Sequence, residues 1–74
     1  MKIRVINPNT TVSMTSKIGE AARRIASPGT VIVATNPKSG PVSIESYFDE
    51  AVSAVGVIEK VVEGEQDGTD AYII

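Results

Sequence analysis

Lys2-Ile3-Arg4-Val5-Ile6-Asn7-Pro8-Asn9-Thr10-Thr11 is the stretch from which the fold can be read. Ile3 to Ile6 has strand character, and Asn7-Pro8-Asn9 closes it, because proline donates no backbone hydrogen bond and asparagine favours turns. Beyond Thr11 the apolar period becomes helical: Met14, Ile18, Ala21, Ala22 and Ile25 share a face. Thr10 or Thr11 supplies the N-cap, and Ser27-Pro28-Gly29 stops the helix. Arg23 and Arg24 fall in its last turn, where the helix dipole favours positive charge.

Thr30 to Thr35 is β-branched except for Ala34, and Val31, Ile32 and Val33 run without alternation, the pattern of a strand covered on both faces. Asn36-Pro37 ends it. After Lys38-Ser39-Gly40-Pro41 a second helix opens near Ser43 or Ser46, where Ser46 and Asp49 have the spacing of a capping box. Phe48, Ala51, Val52, Val55, Ile58, Val61 and Val62 give this helix a broad apolar face. Gly56 is expected to bend or split it, since glycine costs about 1 kcal/mol relative to alanine in a helix interior. Gly64 and Gly68 are expected to end it, and Ala71-Tyr72-Ile73-Ile74 begins a third apolar strand.

The order β-α-β-α-β with near-continuous apolar strands predicts an α/β fold, the start of a doubly wound parallel sheet with right-handed crossovers. The third strand ends the sequence with no polar tail behind it. Residues 1–74 are therefore expected to form a single partial α/β lobe, with the rest of the lobe lying beyond them; a complete miniature domain closed by that strand is the other reading.

Composition removes whole classes of function. The 74 residues contain no cysteine and no histidine, so disulfides, zinc fingers, iron–sulfur sites, thiol nucleophiles and catalytic histidines cannot be built from them. Seven Lys and Arg against nine Asp and Glu, with one Phe and two Tyr, provide neither the basic face nor the stacking aromatics of a nucleic-acid partner. The opening residues are too short and polar a run for a signal peptide, and no apolar run approaches the roughly 18 residues of a membrane span, so a cytoplasmic protein without a membrane partner is expected. So small and unstapled a core is marginal, so the chain is expected to need a partner or to be part of something larger, and a homo-oligomer is expected.

Ligands of open parallel sheets bind at the carboxyl ends of the strands. Here those ends carry the loops Asn7 to Thr11 and Asn36 to Ser43. The first offers Asn7, Asn9, Thr10, Thr11 and the unpaired amides of the helix start, a set able to hold carbonyl, carboxylate or imide oxygens. Its ordinary reading, a tight turn plus a helix cap, is the one that spacing alone favours. The second is long for its position and brings Gly40, Val42 and Ser43; its ordinary reading is a surface loop stiffened by two prolines. No phosphate-binding glycine pattern follows the first strand, because the first glycine is Gly19. The carboxylates between Glu45 and Asp67 read as a solvated face, and none is assigned to catalysis or to a metal.

The opening Lys2 to Thr11, with Met14, Gly19-Glu20-Ala21-Ala22, Asn36-Pro37, Gly40-Pro41-Val42-Ser43-Ile44-Glu45 and Phe48-Asp49-Glu50-Ala51, resembles the N-terminal part of the hydantoin and allantoin racemases, members of the aspartate/glutamate racemase superfamily. The resemblance covers essentially all 74 residues. It implies two similar α/β lobes with an active site between them, no cofactor, and inversion of the C5 stereocentre of a hydantoin or allantoin, a small cyclic ureide. In such enzymes one cysteine removes the ring proton from one face while a second delivers a proton to the other. The resemblance places both cysteines beyond Ile74, so this stretch holds no catalytic residue of its own and is expected to be inactive alone. It makes Asn7, Asn9, Thr10, Val42 and Ser43 the substrate-binding candidates, as donors to an enolate-like oxygen. A reading from another class is a non-catalytic α/β interaction module that pairs with its own copy through its apolar edge strand and helix face.

Overall fold

Five elements follow one another in a computed structural model that describes every residue from Met1 to Ile74: β1 (Lys2–Ile6), α1 (Val12–Ile25), β2 (Val31–Thr35), α2 (Tyr47–Asp67) and β3 (Ala71–Ile73). The strands form one parallel sheet in the order β2-β1-β3, as the α/β expectation requires. Val5 stands opposite Ala34 and Ile73, and Arg4 opposite Val33 and Tyr72. Successive strand residues alternate between faces. Val5, Ala34 and Ile73 therefore share one face, and Arg4, Val33 and Tyr72 the other.

α1 lies on the first face, where a Cβ at Gly19 would stand 2.9 Å from Ala34 Cβ. α2 lies on the second, where a Cβ at Gly64 would stand 2.6 Å from the Tyr72 ring. The crossovers from β1 to β2 and from β2 to β3 run in opposite directions along the sheet, and crossovers of one hand then put their helices on opposite faces. The apolar core is small: of its aliphatic side chains only Val5 and Ile6 are buried, and Ile6 alone is fully enclosed.

Both helices are rotated from the expected faces. α1 turns Thr15 and Gly19 onto the sheet, with Ile18 and Ala22 half-buried, and leaves Met14, Ala21 and Ile25 exposed. The close approach to Ala34 and the hydrogen bonds of Thr15 decide that rotation, not the apolar count. Thr11 is the N-cap, but its hydroxyl donates to the Val42 carbonyl at 2.8 Å and caps no amide of α1.

α2 runs unbroken through Gly56, contrary to the expected bend. Gly56 answers a contact instead, since a Cβ there would meet Pro37 Cβ at 2.6 Å. Gly64 likewise lies inside the helix; the end is Gly68, whose φ of 81° suits a left-handed C-cap. At the start Ser46, not Ser43, is the N-cap, and its hydroxyl accepts from the Asp49 amide at 3.2 Å. The Asp49 carboxylate accepts from the Glu45 amide at 3.0 Å, one residue earlier than a standard capping box.

α2 presents Ser53, Lys60 and Gly64 to the protein interior and turns Phe48, Val52, Val55, Ile58 and Val62 outward. Arg4 beneath it explains this choice. Its guanidinium, 7% exposed, pairs with Asp67 and lies 3.9 Å from Glu63, which also accepts from the buried Lys60 at 3.0 Å. A buried cation requires partners, and the carboxylates of α2 supply them. Glu63, Glu65 and Asp67 are thus partly structural, a correction to their reading as a solvated face. The Thr69 hydroxyl donating to Asp67, reinforced by Lys2 and Arg4, holds that carboxyl below its usual range. Tyr72 donates to Glu65 at 2.5 Å, and desolvation together with Glu65 pushes its hydroxyl up to about 12.

Gly56→Ala is expected to lower stability by about 1 kcal/mol or more, overpacking against Pro37 outweighing the gain in helix propensity. Urea denaturation checks it, and a stabilised variant would show that Pro37 yields. Because Tyr72 ionises near 10.0 when unfolded and near 12 when folded, stability is whole below pH 10 and falls as pH rises toward 12. Tyr72→Phe is expected to flatten that alkaline limb in urea titrations at stepped pH.

Candidate functional site

Parallel strands bring their carboxyl ends to one edge of the sheet, so Asn7–Thr11 after β1 and Asn36–Ser46 after β2 meet there. The Asn7 amide continues the ladder to the Thr35 carbonyl at 2.9 Å, which sets Asn7 beside Asn36. Between their side chains stands Thr15 of α1. Its hydroxyl accepts from Asn7 Nδ2 at 3.2 Å and donates to Asn36 Oδ1 at 2.7 Å, so one buried oxygen ties the ends of two strands to a helix.

The turn itself is held by its asparagines. Asn7 Oδ1 accepts from the Asn9 amide at 3.3 Å, Asn7 Nδ2 donates to Asn9 Oδ1 at 2.8 Å, and Asn9 Oδ1 also accepts from the Thr11 amide at 2.9 Å. Asn7 and Asn9 are both buried. Thr10 then donates its amide to the Pro41 carbonyl at 3.1 Å, beside the bond from Thr11 to Val42. The two loops are stitched together before any ligand arrives.

Of the five substrate-binding candidates, Asn7, Asn9, Thr10 and Val42 are therefore brought together by hydrogen bonds, and Ser43 follows on the exposed loop. Asn7 has committed both amide hydrogens within the protein. The donors without a protein partner include the backbone amides of Val12 and Ser13 in the first turn of α1, those of Val42 and Ser43 in the second loop, and the Ser43 hydroxyl. Such a set can hold a carbonyl or imide oxygen. It contains no group able to remove a proton from carbon near neutral pH. Glu45 and Glu50 line a separate open cleft of about 530 Å³ with Ile44, Ser46 and Tyr47, and no cluster of three His, Cys, Asp or Glu is placed to hold a metal ion.

Thr15 escaped the sequence reading, and Asn36 entered it only as the start of the second loop. A signal for them exists: Asn7-Pro8 and Asn36-Pro37 repeat the same pair after two adjacent parallel strands, one residue beyond the Ile6–Thr35 register. Two asparagines at equivalent strand ends call for a shared partner, and Thr15 is one helical turn into the element that packs over them.

Residues 3–74 match the family model described as Asp/Glu/Hydantoin racemase. The chain is 57% identical over 74 residues to a hydantoin racemase of Pseudomonas sp. (strain NS671), and 43% identical over 75 residues to one of Paenarthrobacter aurescens. It is covered completely in both alignments and spans 30% and 32% of those relatives' lengths. An allantoin racemase structure from Klebsiella pneumoniae superposes on the whole chain with a TM-score of 0.97 at 51% identity, 30% of that protein being matched.

Thr15→Val keeps the shape and removes the hydroxyl, leaving Asn7 and Asn36 facing an apolar group. A loss of about 1–3 kcal/mol is expected from the unpaired polar atoms, with Thr15→Ser close to the parent chain in the same urea denaturation series.

Proposed function

This chain belongs to the Asp/Glu/Hydantoin racemase family, and from that membership we propose that it forms the N-terminal portion of a cofactor-independent hydantoin or allantoin racemase. The observation that supports this reading is the rim of unpaired Val12, Ser13, Val42 and Ser43 amides at the carboxyl edge of the sheet. Asn7, Asn9 and Thr10 fix that rim, and the amides of Val42 and Ser43, with the Ser43 hydroxyl, receive the ring oxygen next to the reacting carbon. A cyclic ureide is neutral and rich in carbonyl acceptors, which suits donors that carry no charge. As a cytoplasmic homo-oligomer the enzyme needs no membrane contact, and no helix here is long and apolar enough to cross one.

The proton transfers belong to residues outside these 74. A thiolate takes the C5 proton, the electron pair moves into the adjacent carbonyl to give an enolate, and a thiol on the opposite face returns a proton to carbon. Donors aimed at the enolate oxygen lower the barrier because they bind the negative charge only as it develops. With no cysteine in the chain, this portion positions and stabilises but cannot exchange the proton.

A single enantiomer of a 5-substituted hydantoin is expected to keep its optical rotation in the presence of the 74-residue chain. A chimera that carries these residues in place of the matching N-terminal segment of the Pseudomonas racemase is expected to racemise it. Racemisation by the short chain alone would sink the proposal, as would a folded chimera with no activity.

A further inference from the structure

The Thr15 hydroxyl fills a place that demands a group able to give and to take a hydrogen bond at once. It is buried at 7% exposure, beside Asn7 at 4%. A threonine inside a helix ordinarily returns its hydroxyl to the carbonyl four residues earlier. Here the Thr11 carbonyl is 3.3 Å away, and the nearer acceptor, Asn36 Oδ1 at 2.7 Å, takes the hydrogen. The lone pairs are left to Asn7 Nδ2. Asn36 donates its own Nδ2 to the Pro37 carbonyl at 2.9 Å, so the bonds run in one direction from the turn after β1, through α1, to the start of the second loop.

That loop is held twice through the same hydroxyl. Its entry is fixed directly, at Asn36. Its far part is fixed through the turn: Asn7 Nδ2 also donates to Asn9 Oδ1, which accepts from the Thr11 amide, and Thr10 and Thr11 bind the Pro41 and Val42 carbonyls. A carbonyl and the amide that follows it share one planar peptide unit. Binding the Pro41 carbonyl therefore aims the Val42 amide, and binding the Val42 carbonyl aims that of Ser43. We infer that Thr15 is a positioning residue of the oxygen-binding edge, its hydroxyl setting, through Asn7 and Asn36, where the Val42 and Ser43 amides point. The inference rests on the proposed racemase reading, in which those amides receive the enolate oxygen. Every group in this chain of bonds lies within the 74 residues, and Asn7, Asn9 and Thr15 are buried.

A donor raises the rate only when it is aimed at the oxygen whose charge develops. A displacement of about 1 Å, imposed from outside the reacting groups, can cost on the order of 100-fold. The ground-state carbonyl carries less charge than the enolate, so its binding suffers much less from the same displacement. Loss of the hydroxyl therefore shows in kcat and hardly in KM. Thr15→Val keeps the shape and breaks both bonds, whereas Thr15→Ser keeps both.

In the chimera with the Pseudomonas racemase, Thr15→Val is expected to lower kcat for a single hydantoin enantiomer about 10- to 100-fold, with KM within about threefold of the parent and kcat restored in Thr15→Ser. Ile18→Ala trims a half-buried side chain of the same helix and is expected to keep the parent's kcat when assayed well below its unfolding temperature. An unchanged kcat in Thr15→Val overturns the inference, as does an equal loss in Ile18→Ala or no recovery in Thr15→Ser. Amide exchange in the 74-residue chain reads the positioning without racemisation. The Thr10 amide, bonded to the Pro41 carbonyl, is expected to exchange about tenfold faster in Thr15→Val relative to the Val31 amide, which bonds to the Met1 carbonyl at the amino end of the sheet. That ratio is expected to hold at the parent's value in Thr15→Ser and Ile18→Ala. An unchanged ratio in Thr15→Val overturns the inference even where the chimera is folded and inactive, the result that sinks the racemase reading by itself. Should Thr15→Val fail to fold, Asn36→Ala, which removes the acceptor alone, is read in its place.

Discussion

Both neighbours of β1 run parallel to it, so each connection has to carry the chain back across the full length of the sheet before the next strand can pair. A helix is the element that does this while satisfying its own backbone groups. Because β2 and β3 flank β1 on opposite sides, the two crossovers place α1 and α2 on opposite faces. The same geometry gathers the strand carboxyl ends at one edge. That is why turns separated by about thirty residues, Asn7–Thr11 and Asn36–Ser46, can exchange hydrogen bonds such as that from Thr11 to Val42.

The sheet meets its two helices by different means. Toward α1 the contact is close and small-sided, Gly19 against Ala34, with the Thr15 hydroxyl completing the polar strand ends. Toward α2 the central strand β1 presents Arg4, a charge that the interior tolerates only when carboxylates pair with it. Asp67 and Glu63 pair with its terminal nitrogens while Nε has no hydrogen-bond partner, Lys60 shares Glu63, and Tyr72 closes over Gly64. The helix is consequently held by polar contacts on its inner side. Phe48, Val52, Val55, Ile58 and Val62 form the outward stripe, while Val57 and Val61 are half-buried.

The carboxyl edge shares its asparagine and threonine side chains within the protein and leaves backbone amides and the Ser43 hydroxyl for anything else. Amides are donors of fixed direction that neither titrate nor lose charge with pH, which suits the holding of a carbonyl oxygen whose electron density rises during reaction. Within the proposed racemase this edge orients the ring and draws charge toward oxygen, and the acid–base work is left to groups of another kind. Such a division has a physical reason: the donors gain from a rigid, hydrogen-bonded turn, whereas the bases must approach from both faces of a planar intermediate.

Much of this was legible in the residues alone. Ile3–Ile6 followed by Asn-Pro, the helical period after Thr11, the β-branched run at Val31 and the turn chemistry of Asn36-Pro37 and Gly68 are local signals, because propensity and capping act over a few residues. They determined the element order and the parallel sheet, and with it the edge where the proposed site lies, and the Asn-Pro-Asn-Thr and Gly-Pro-Val-Ser-Ile-Glu segments pointed to the family. Which way each helix faces was not local. The apolar count of α2 pointed one face toward the sheet, but burial of Arg4 and the contact of Gly56 with Pro37 turned it the other way. Thr15 meets Asn36 across 21 positions, and Gly56 reads as a helix breaker until Pro37 is seen against it. Pairings between distant residues are settled only when the sheet register brings them together, and that register was the contribution of the tertiary structure.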